Sequence, residues 1–342
     1  MVKVSVVIKT LNEESNISRA IESAIEAVTP YRGEVIIADS GSTDRTIETA
    51  MRFPVLIVQL SHPRERRCGI GPQLGYQHST GEYVYILDGD MEIKADFLKE
   101  AIEFLDRERT VAGVGGIVNE MRFKNLEFEI RARHFRERQV EDGSDVDCLT
   151  GGGLYRRSAV EEVGYISDRN LHGFEEYDLG VRLRAKGWRL VRLERHAVDH
   201  YSYTMNTYRL LWYRIRAGRL LAFGEVLRAA LKGNYLKSAV VELRPIRFAL
   251  GMLAYWALTL SLAVAIGDIW WAVPFLVLAF ILPILGMAVR NGSLKGGGYS
   301  VAVWHLAAIN LLLGVVRTRA QPNEPIESRV LRMPPDATVV SG

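Results

Sequence analysis

The chain has 342 residues, of which 48% are hydrophobic, enough for one large domain or two of average size. Its net charge is only +3, because 43 Lys and Arg residues nearly balance 40 Asp and Glu residues, and this balance argues against a nucleic-acid partner. The two cysteines, Cys68 and Cys148, form no C-x-x-C pair, which predicts a reducing compartment and no disulfide framework.

Short β-branched runs alternate with helical patterns through the first hundred residues. This alternation predicts a mainly parallel sheet, whose ligands bind beyond the carboxyl ends of the strands. The loops that begin at Thr10, Asp39 and Asp88 follow such ends. We predict strands at residues 4–8, 35–38, 55–60 and 83–87, and helices at 17–29, about 44–51 and 96–105.

The next hundred residues are less regular. A Gly-rich strand is predicted near 111–118, a charged stretch expected to border the acceptor side covers 120–147, and a helix runs from about 174 to Gly187. A last short strand precedes Val198-Asp199-His200.

Three apolar segments follow, at 248–266, 269–289 and 299–316. The first two are long enough to span a bilayer as a hairpin. The third contains the polar residues His305 and Asn310, so it is either a span that tolerates polar residues or an interfacial or re-entrant helix. Basic residues after it favour a cytoplasmic tail, which three full spans from a cytoplasmic start would not allow. The basic, aromatic stretch 208–240 predicts an amphipathic region on the membrane surface.

The N-terminus starts directly with a strand and lacks the pattern of a signal peptide, so we expect the preceding soluble domain to be cytoplasmic. We predict a domain at 1–240, a membrane domain with two or three transmembrane helices at 241–320, and a tail at 321–342. The chain is thus expected to be a multi-pass protein of the cell membrane.

Acidic and polar residues at the strand ends predict a nucleotide and metal site. Asp88 and Asp90 flank one glycine and could hold a hard divalent cation against a diphosphate, although such a pair also forms simple turns. Asp39 offers an acceptor for a base or a ribose hydroxyl. Three residues of the first loop could cap the first helix or bind the nucleotide, or do both: Thr10, Asn12 and Glu13.

Four ordered segments resemble the motifs of family 2 glycosyltransferases: 5–14, 39–44, 81–90 and 175–183. This resemblance implies a GT-A fold, inversion at the anomeric carbon and a Mg²⁺ or Mn²⁺ cofactor. It also implies that Asp39 contacts the nucleotide base, Asp88 the ribose or the metal, and Asp90 the metal.

The same resemblance puts the acceptor-activating base at Glu176, where the family has Asp after Glu and this chain has Glu175-Glu176. The longer side chain changes the geometry of the base. Asp178 is a reserve candidate, and these acids could instead pair with Arg182 or Arg184 along a helix.

His200 resembles the histidine that completes the metal site in several GT-A enzymes, although a lone histidine is often structural and His196 is near. The family's Arg-Asn-x-Gly element is replaced around Gln73. Diphosphate or base contacts could pass to nearby arginines, namely Arg64, Arg66 and Arg67.

These features predict an inverting, metal-dependent transferase that moves a sugar from a nucleotide-sugar donor, with UDP-sugars favoured. The expected acceptor is lipid-linked or a polysaccharide at the cytoplasmic membrane face, in contact with membrane lipid. Three alternatives remain open: transfer to polyprenyl phosphate, a processive polysaccharide synthase, and a non-catalytic membrane scaffold with a degenerate transferase domain.

Overall fold

The computed structural model describes residues 2–121, 142–201 and 207–334, so most of the charged stretch 120–147 lies outside the described residues. Packing divides the chain into two units. The first comprises 1–213 and 319–342, and the second comprises 214–318. The predicted domain bounds at 240 and 320 therefore differ from the packing units, in which 214–240 groups with the apolar helices and the tail with the soluble fold.

The first unit is built from strands and helices that match the predicted alternation. Its strands are β1 Val4–Thr10, β2 Gly33–Asp39, β3 Leu56–Leu60, β4 Tyr83–Asp88, β5 Met91–Ile93, β6 Val111–Glu120, β7 Ser144–Asp145, β8 Gly153–Arg156, β9 Arg189–His200 and β10 Ser328–Arg332. Its helices are α1 Ile17–Val28, α2 Thr46–Ala50, α3 Ile70–Gln77, α4 Ala95–Arg107, α5 Arg157–Glu162 and α6 Glu175–Ala185, and α7 Thr207–Arg216 crosses into the second unit.

Ten strands form one sheet, with nine in the order β10-β3-β2-β1-β4-β8-β6-β9-β5 and β7 beside β9. The first four strands of the chain pair in parallel, as predicted. The later strands are largely antiparallel, because β8 runs against both β4 and β6 and β5 runs against β9. The α/β class with a GT-A-like sheet is confirmed, while the sheet as a whole is mixed.

Strand register places the candidate residues next to each other. At the end of β1, Lys9 lies opposite Asp88 and Thr10 lies opposite Asp39. At the other end of the sheet, His200 pairs with Glu120. Alternation along β1 puts Val6 and Ile8 in one buried cluster and Val7 in another, which indicates that both faces of the sheet are covered.

The segment after residue 319 belongs to the first unit. Strand β10 runs antiparallel to β3, with Ser328 opposite Leu60. The N-terminal side of this segment is fixed by an ion pair of 2.6 Å between Arg319 Nη2 and the buried Asp168 Oδ2. The sequence gives little sign of β10, since it reads as an exposed basic tail.

The second unit contains only helices among its described residues. They are the end of α7, then α8 Ala222–Lys232, α9 Leu236–Glu242, α10 Arg244–Ile266, α11 Ile269–Asn291 and α12 Leu294–Val316. The last three are each long and apolar enough to cross a membrane. They extend the three predicted apolar segments, and α10 and α11 are separated only by Gly267 and Asp268, as the predicted hairpin requires.

Candidate active site

A buried lysine joins the ends of β1 and β4 to the start of α6. The Lys9 Nζ lies 2.9 Å from Asp88 Oδ1, 3.4 Å from Glu175 Oε1 and 3.9 Å from Glu176 Oε1. Burial lowers the pKa of Lys9, but the three carboxylates outweigh it and hold that pKa well above its ordinary value. Lys9 is therefore a fixed positive charge between the predicted donor acid and the predicted base.

Glu176 has the properties of a base near neutral pH. Burial and the adjacent charge of Glu175 raise the pKa of Glu176 to about 7, although Lys9 acts in the opposite direction. The residue before these acids, Phe174, has a φ of 66°, a left-handed conformation that costs energy for a bulky side chain. This backbone turn begins α6 and fixes the direction of its first residues.

The reserve candidate Asp178 is not brought into this cluster. Its side chain is only 1% exposed, and Oδ2 accepts a hydrogen bond of 2.9 Å from Arg182 Nε one turn along α6. Glu175, Glu176 and Asp178 could each pair with an arginine along the helix, and Asp178 forms such a pair with Arg182. Its position favours a structural role.

A second acidic group surrounds His200. The Nε2 atom lies 3.3 Å from Asp90 Oδ2, and Nδ1 lies 2.9 Å from Glu120 Oε1. Burial lowers the pKa of His200, but hydrogen bonds to both carboxylates raise that pKa to about 10. The two acids of the Asp88-Gly-Asp90 motif thus have different partners, since Asp88 faces Lys9 and Asp90 faces His200.

This arrangement fits a divalent cation. Metal-binding histidines use one ring nitrogen for the metal and the other for a carboxylate, and here Glu120 holds Nδ1 while Nε2 points to Asp90. The carboxylates favour any positive species at Nε2, whether a proton or a metal ion. Within the three described ranges, no three His, Cys, Asp or Glu side chains already form a closed metal cluster.

Asp39 organises the loop that follows β2. Its carboxylate is fully buried, and Oδ2 accepts hydrogen bonds of 2.9 Å from the backbone N–H groups of Gly41 and Ser42 and from Gln59 Nε2. Ser42 Oγ donates to Oδ1. In this conformation, hydrogen-bond donors of the protein itself bind the Asp39 carboxylate. The predicted contact of Asp39 with a nucleotide base stays a prediction.

The arginines predicted to bind the donor have other contacts here. Arg66 donates to the backbone carbonyls of Ser40 and Gly41 and so supports the Asp39 loop. Arg67 Nη1 lies 3.5 Å from the carbonyl of Glu65. Gln73, which stands near the missing Arg-Asn element, is buried and accepts the N–H groups of Ile166 and Ser167.

The first loop ties two strand ends together. Asn12, with a φ of 57°, accepts a bond of 2.8 Å from the Thr43 N–H, and its own N–H donates to Ser42 Oγ. Helix α1 begins at Ile17 and its N-cap position is Asn16, so of the two alternatives for Asn12 the nucleotide-binding one stays a prediction. Glu13 accepts from Asn16 Nδ2. Thr10 Oγ1 is buried without a hydrogen-bond partner, which leaves it available to a ligand.

A shallow, open cleft lies between β1 and α6. Lys9, Glu175 and Glu176 line it, together with Gly153, Tyr155 and the buried Ser167. The Ser167 hydroxyl also has no hydrogen-bond partner. The cleft therefore presents carboxylates, a cation and an unsatisfied hydroxyl, groups that suit a polyhydroxylated substrate.

Sequence reasoning missed two residues of the site. Lys9 reads as the polar end of a strand, and only its register opposite Asp88 reveals its position. Glu120 lies 80 residues from His200 and within the charged stretch, so its pairing depends on the sheet order. The signal for Lys9 is its place in β1, where it is the first residue that is not buried after five buried positions.

Comparisons with known proteins show what this chain is similar to. Residues 5–164 match the model of glycosyl transferase family 2. A curated relative from Methanococcus voltae, a dolichyl N-acetyl-alpha-D-glucosaminyl phosphate 3-beta-D-2,3-diacetamido-2,3-dideoxy-beta-D-glucuronosyltransferase, is 24% identical over 206 residues. That alignment covers 55% of this chain and 63% of the relative, so the chain spans less than two thirds of that relative's length.

Two solved structures share the fold. The mannosyltransferase PcManGT from Pyrobaculum calidifontis, in complex with GDP-Man and Mn²⁺, is 21% identical with a TM-score of 0.56, covering 91% of this chain and 87% of that one. S. aureus TarS 1-349, in complex with UDP-GlcNAc, is 17% identical with a TM-score of 0.53, covering 97% and 99%. The family model that matches residues 5–164 shows that this part of the chain is a family 2 glycosyltransferase domain, and the two solved structures share its GT-A fold.

Proposed function

We propose that this glycosyltransferase is an inverting, metal-dependent enzyme that transfers a sugar from a nucleoside-diphosphate donor, with UDP-sugars favoured, to a hydroxyl of a lipid-linked or polysaccharide acceptor. The observation that carries the proposal is the cluster in which Lys9 contacts Asp88 on the donor side and Glu175 and Glu176 in the cleft. A donor acid and a base thereby lie within 4 Å of the same lysine nitrogen, at 2.9 Å and 3.9 Å.

Glu176 takes the role of general base. Its carboxylate accepts the proton of the acceptor hydroxyl while the oxygen forms a bond to the anomeric carbon from the face opposite the diphosphate. The bond from that carbon to the diphosphate oxygen breaks, and the nucleoside diphosphate leaves with the electron pair. A single displacement of this kind inverts the anomeric centre.

Asp90 and His200, with Asp88 nearby in sequence, would hold Mg²⁺ or Mn²⁺. When bound, the ion supplies positive charge to the departing diphosphate. Glu120 keeps the His200 ring oriented through Nδ1, which frees Nε2 for the site. The Mn²⁺ bound to PcManGT supports this choice of cofactor.

The base also bears on the class of acceptor. A polyprenyl phosphate is already ionised and needs no strong base, whereas a sugar hydroxyl does. The carboxylate of Glu176 in the cleft, with a pKa raised to about 7, favours a hydroxyl acceptor. The M. voltae relative is named for transfer to a dolichyl-linked sugar, in line with a lipid-linked saccharide. The three helices that are long and apolar enough to span a membrane support a lipid-linked acceptor, on the membrane side that we propose is cytoplasmic.

A transfer assay with Glu176→Gln tests this proposal. Detergent-purified protein is given radiolabelled UDP- and GDP-sugars with a lipid-linked oligosaccharide extract or with polyprenyl phosphate. We expect transfer to the saccharide acceptor to fall by about 10²- to 10⁴-fold, the usual contribution of a general base. Glu175→Gln, the same change one residue earlier, is the matched control and should lose less activity.

Two results would contradict the proposal. If Glu176→Gln kept full transfer to polyprenyl phosphate and no saccharide accepted sugar, the phosphate alternative would replace it. If wild-type protein transferred no sugar to any acceptor, the degenerate-scaffold alternative would stand.

A further inference from the structure

The chain leaves the first unit after residue 213 and returns to it at residue 319. The segment after residue 319 is an integral part of the first unit, because β10 pairs with β3 and Arg319 forms an ion pair with Asp168, whose side chain is only 1% exposed. Asn170 adds two hydrogen bonds to the backbone of Ala320. Residues on either side of the second unit therefore belong to one folded body.

A folded water-soluble unit lies on one side of a bilayer. The segment 214–318 must then cross the membrane an even number of times, because it starts and ends on the same side. Three helices in the described chain are long enough to cross, and three crossings would put residue 319 on the side opposite residue 213. At most two of them can span.

We infer that α10 and α11 form a transmembrane hairpin and that α12 lies along the membrane interface, with both of its ends on the side where α10 begins. This inference concerns membrane topology and does not depend on the reaction proposed above. The choice of α12 over the other two helices follows from its composition and from its packing within the second unit.

Polar side chains distinguish α12 from the two helices of the hairpin, although its mean hydropathy of 1.8 is close to the 1.9 of α10. Helix α12 starts with Lys295 and three successive glycines and carries His305 and Asn310 in its middle, whereas α11 holds no charged residue before Arg290. Polar side chains are costly in the hydrocarbon core and are tolerated at the interface. The two-residue turn between α10 and α11 suits two antiparallel spans.

Packing contacts of α12 run from the end of the hairpin nearest to the start of α10 up to its middle, where Trp256 Nε1 donates to His305 Nε2 and the rings of His305 and Phe280 lie 5.8 Å apart. Trp304 stacks on Phe248 with ring centroids 5.6 Å apart, and Gly297 packs closely against Ala288 near the end of α11. At the hairpin tip, Trp270 and Trp271 are 83% and 72% exposed within the protein. The tip therefore extends away from α12, as a span with its own interfacial tryptophans would.

The last turns of α12 pack on α8. Gly224 and Gly314 bring the two backbones together without room for a Cβ, and Arg317 Nη1 lies 3.4 Å from Glu225 Oε1. Helices α8 and α9 have 11 and 7 residues and rise only about 16 and 10 Å, too little for either to cross a hydrocarbon core. Since they lead directly into α10, the end of α12 lies on the entry side.

Two crossings also reconcile the number of spans with the positive-inside rule, which favours a cytoplasmic tail. The basic residues of α7 to α9 and those from Arg317 to Arg332 then lie on one side, which the positive-inside rule makes cytoplasmic. With three crossings, one of these two basic regions would have to be outside. The even count satisfies both the rule and the folded first unit.

Single-cysteine labelling in sealed membrane vesicles of known orientation tests the topology on the full chain. Cys68→Ser and Cys148→Ser give the background, and a membrane-impermeant maleimide probes four positions, of which 26, 268 and 323 are exposed and 298 is half-buried. The substitutions are Glu26→Cys in α1, Asp268→Cys at the hairpin tip, Gly298→Cys near the start of α12 and Asn323→Cys before β10. At Gly298 an added Cβ would meet no atom within 4 Å.

We expect residues 26, 298 and 323 to be labelled from one side and residue 268 only from the other. Labelling of 298 and 323 from opposite sides would show that α12 crosses and would overturn the inference. Labelling of all four from one side would overturn it as well, because the hairpin would then not span. If the double-serine background fails to insert, the same four substitutions are compared in the native-cysteine chain after subtraction of wild-type labelling.

Discussion

At the residue scale, the site depends on one cation among three carboxylates. Lys9 is the feature that converts Asp88, Glu175 and Glu176 from mutually repelling acids into an ordered cluster, because its pKa stays well above the ordinary value in spite of burial. Sequence motifs located all three acids but not the lysine. The acids belong to recognisable strings, whereas the lysine acquires meaning only from strand register.

Replacement of Lys9 by methionine is expected to lower kcat and to raise the pH at which activity appears, because Glu176 would lose the nearby positive charge that favours its ionised form. The pH profile of kcat is the measurement, since a merely structural role for Lys9 would reduce activity without shifting the profile. Lys3→Met is the matched control, because Lys3 directly precedes the same strand and pairs with Glu82 and Asp106 away from the cleft. An unshifted profile in Lys9→Met would contradict the role assigned to this lysine.

The wild-type pH profile is itself a prediction. A general base works only when deprotonated, and burial together with Glu175 raises the pKa of Glu176 to about 7. Activity should therefore rise with pH through about 7 and reach a plateau above it, falling about tenfold per pH unit on the acid side. Measurement of kcat/KM across this range checks the sign, and a profile that declines as the pH rises through 7 would exclude Glu176 as the base.

At the element scale, the sequence predicted the strands and helices that carry regular patterns, while it missed those defined by distant partners. Strands β1 to β4 and helices α1 and α4 follow from alternation and helical spacing. Strand β10 has an exposed, charged pattern and forms because β3 offers an open edge. Helix α3 went unpredicted because it is short and contains Pro72 and two glycines.

The junction of the returning segment is open to a stability test. Asp168 is 1% exposed and holds both Arg319 and Asn170, so Asp168→Ala leaves a partly buried arginine without its carboxylate. Loss of one partner of a buried pair costs about 3–5 kcal/mol, and we expect a clear drop in melting temperature. Thermal unfolding in detergent measures it.

Glu65→Ala provides the control for this test. Glu65 also pairs with an arginine of the same loop, Arg169, but its side chain is 40% exposed. Water can reach the site of Glu65, and Arg169, itself only 7% exposed, keeps hydrogen bonds to the carbonyls of Glu324 and Pro325, so this variant should melt closer to the wild type than Asp168→Ala. Equal melting temperatures for the two variants would show that the Asp168 pair does not hold the segment.

At the scale of the whole molecule, the first unit is complete only when residues from both sides of the membrane helices are present. The sequence indicated an apolar C-terminal region and a basic tail, yet it could not show that the tail re-enters the soluble fold, since that depends on contacts between residues more than 250 positions apart. The cleft likewise combines β1 with α6, which are separated by about half of the chain.

The central claim is that this fold binds a nucleoside diphosphate together with a divalent metal at Asp90. The most direct measurement is thermal stabilisation of the purified protein by UDP, GDP, dTDP and CMP, each with Mn²⁺ and with EDTA, for wild type, Asp90→Ala and the exposed control Asp96→Ala. One nucleotide at about 100-fold over its Kd should stabilise the wild type and the control by about 2.7 kcal/mol, only with metal, and should leave Asp90→Ala unchanged. Absence of a shift with any nucleotide at millimolar concentration, or an equal metal-dependent shift in Asp90→Ala, would contradict the account.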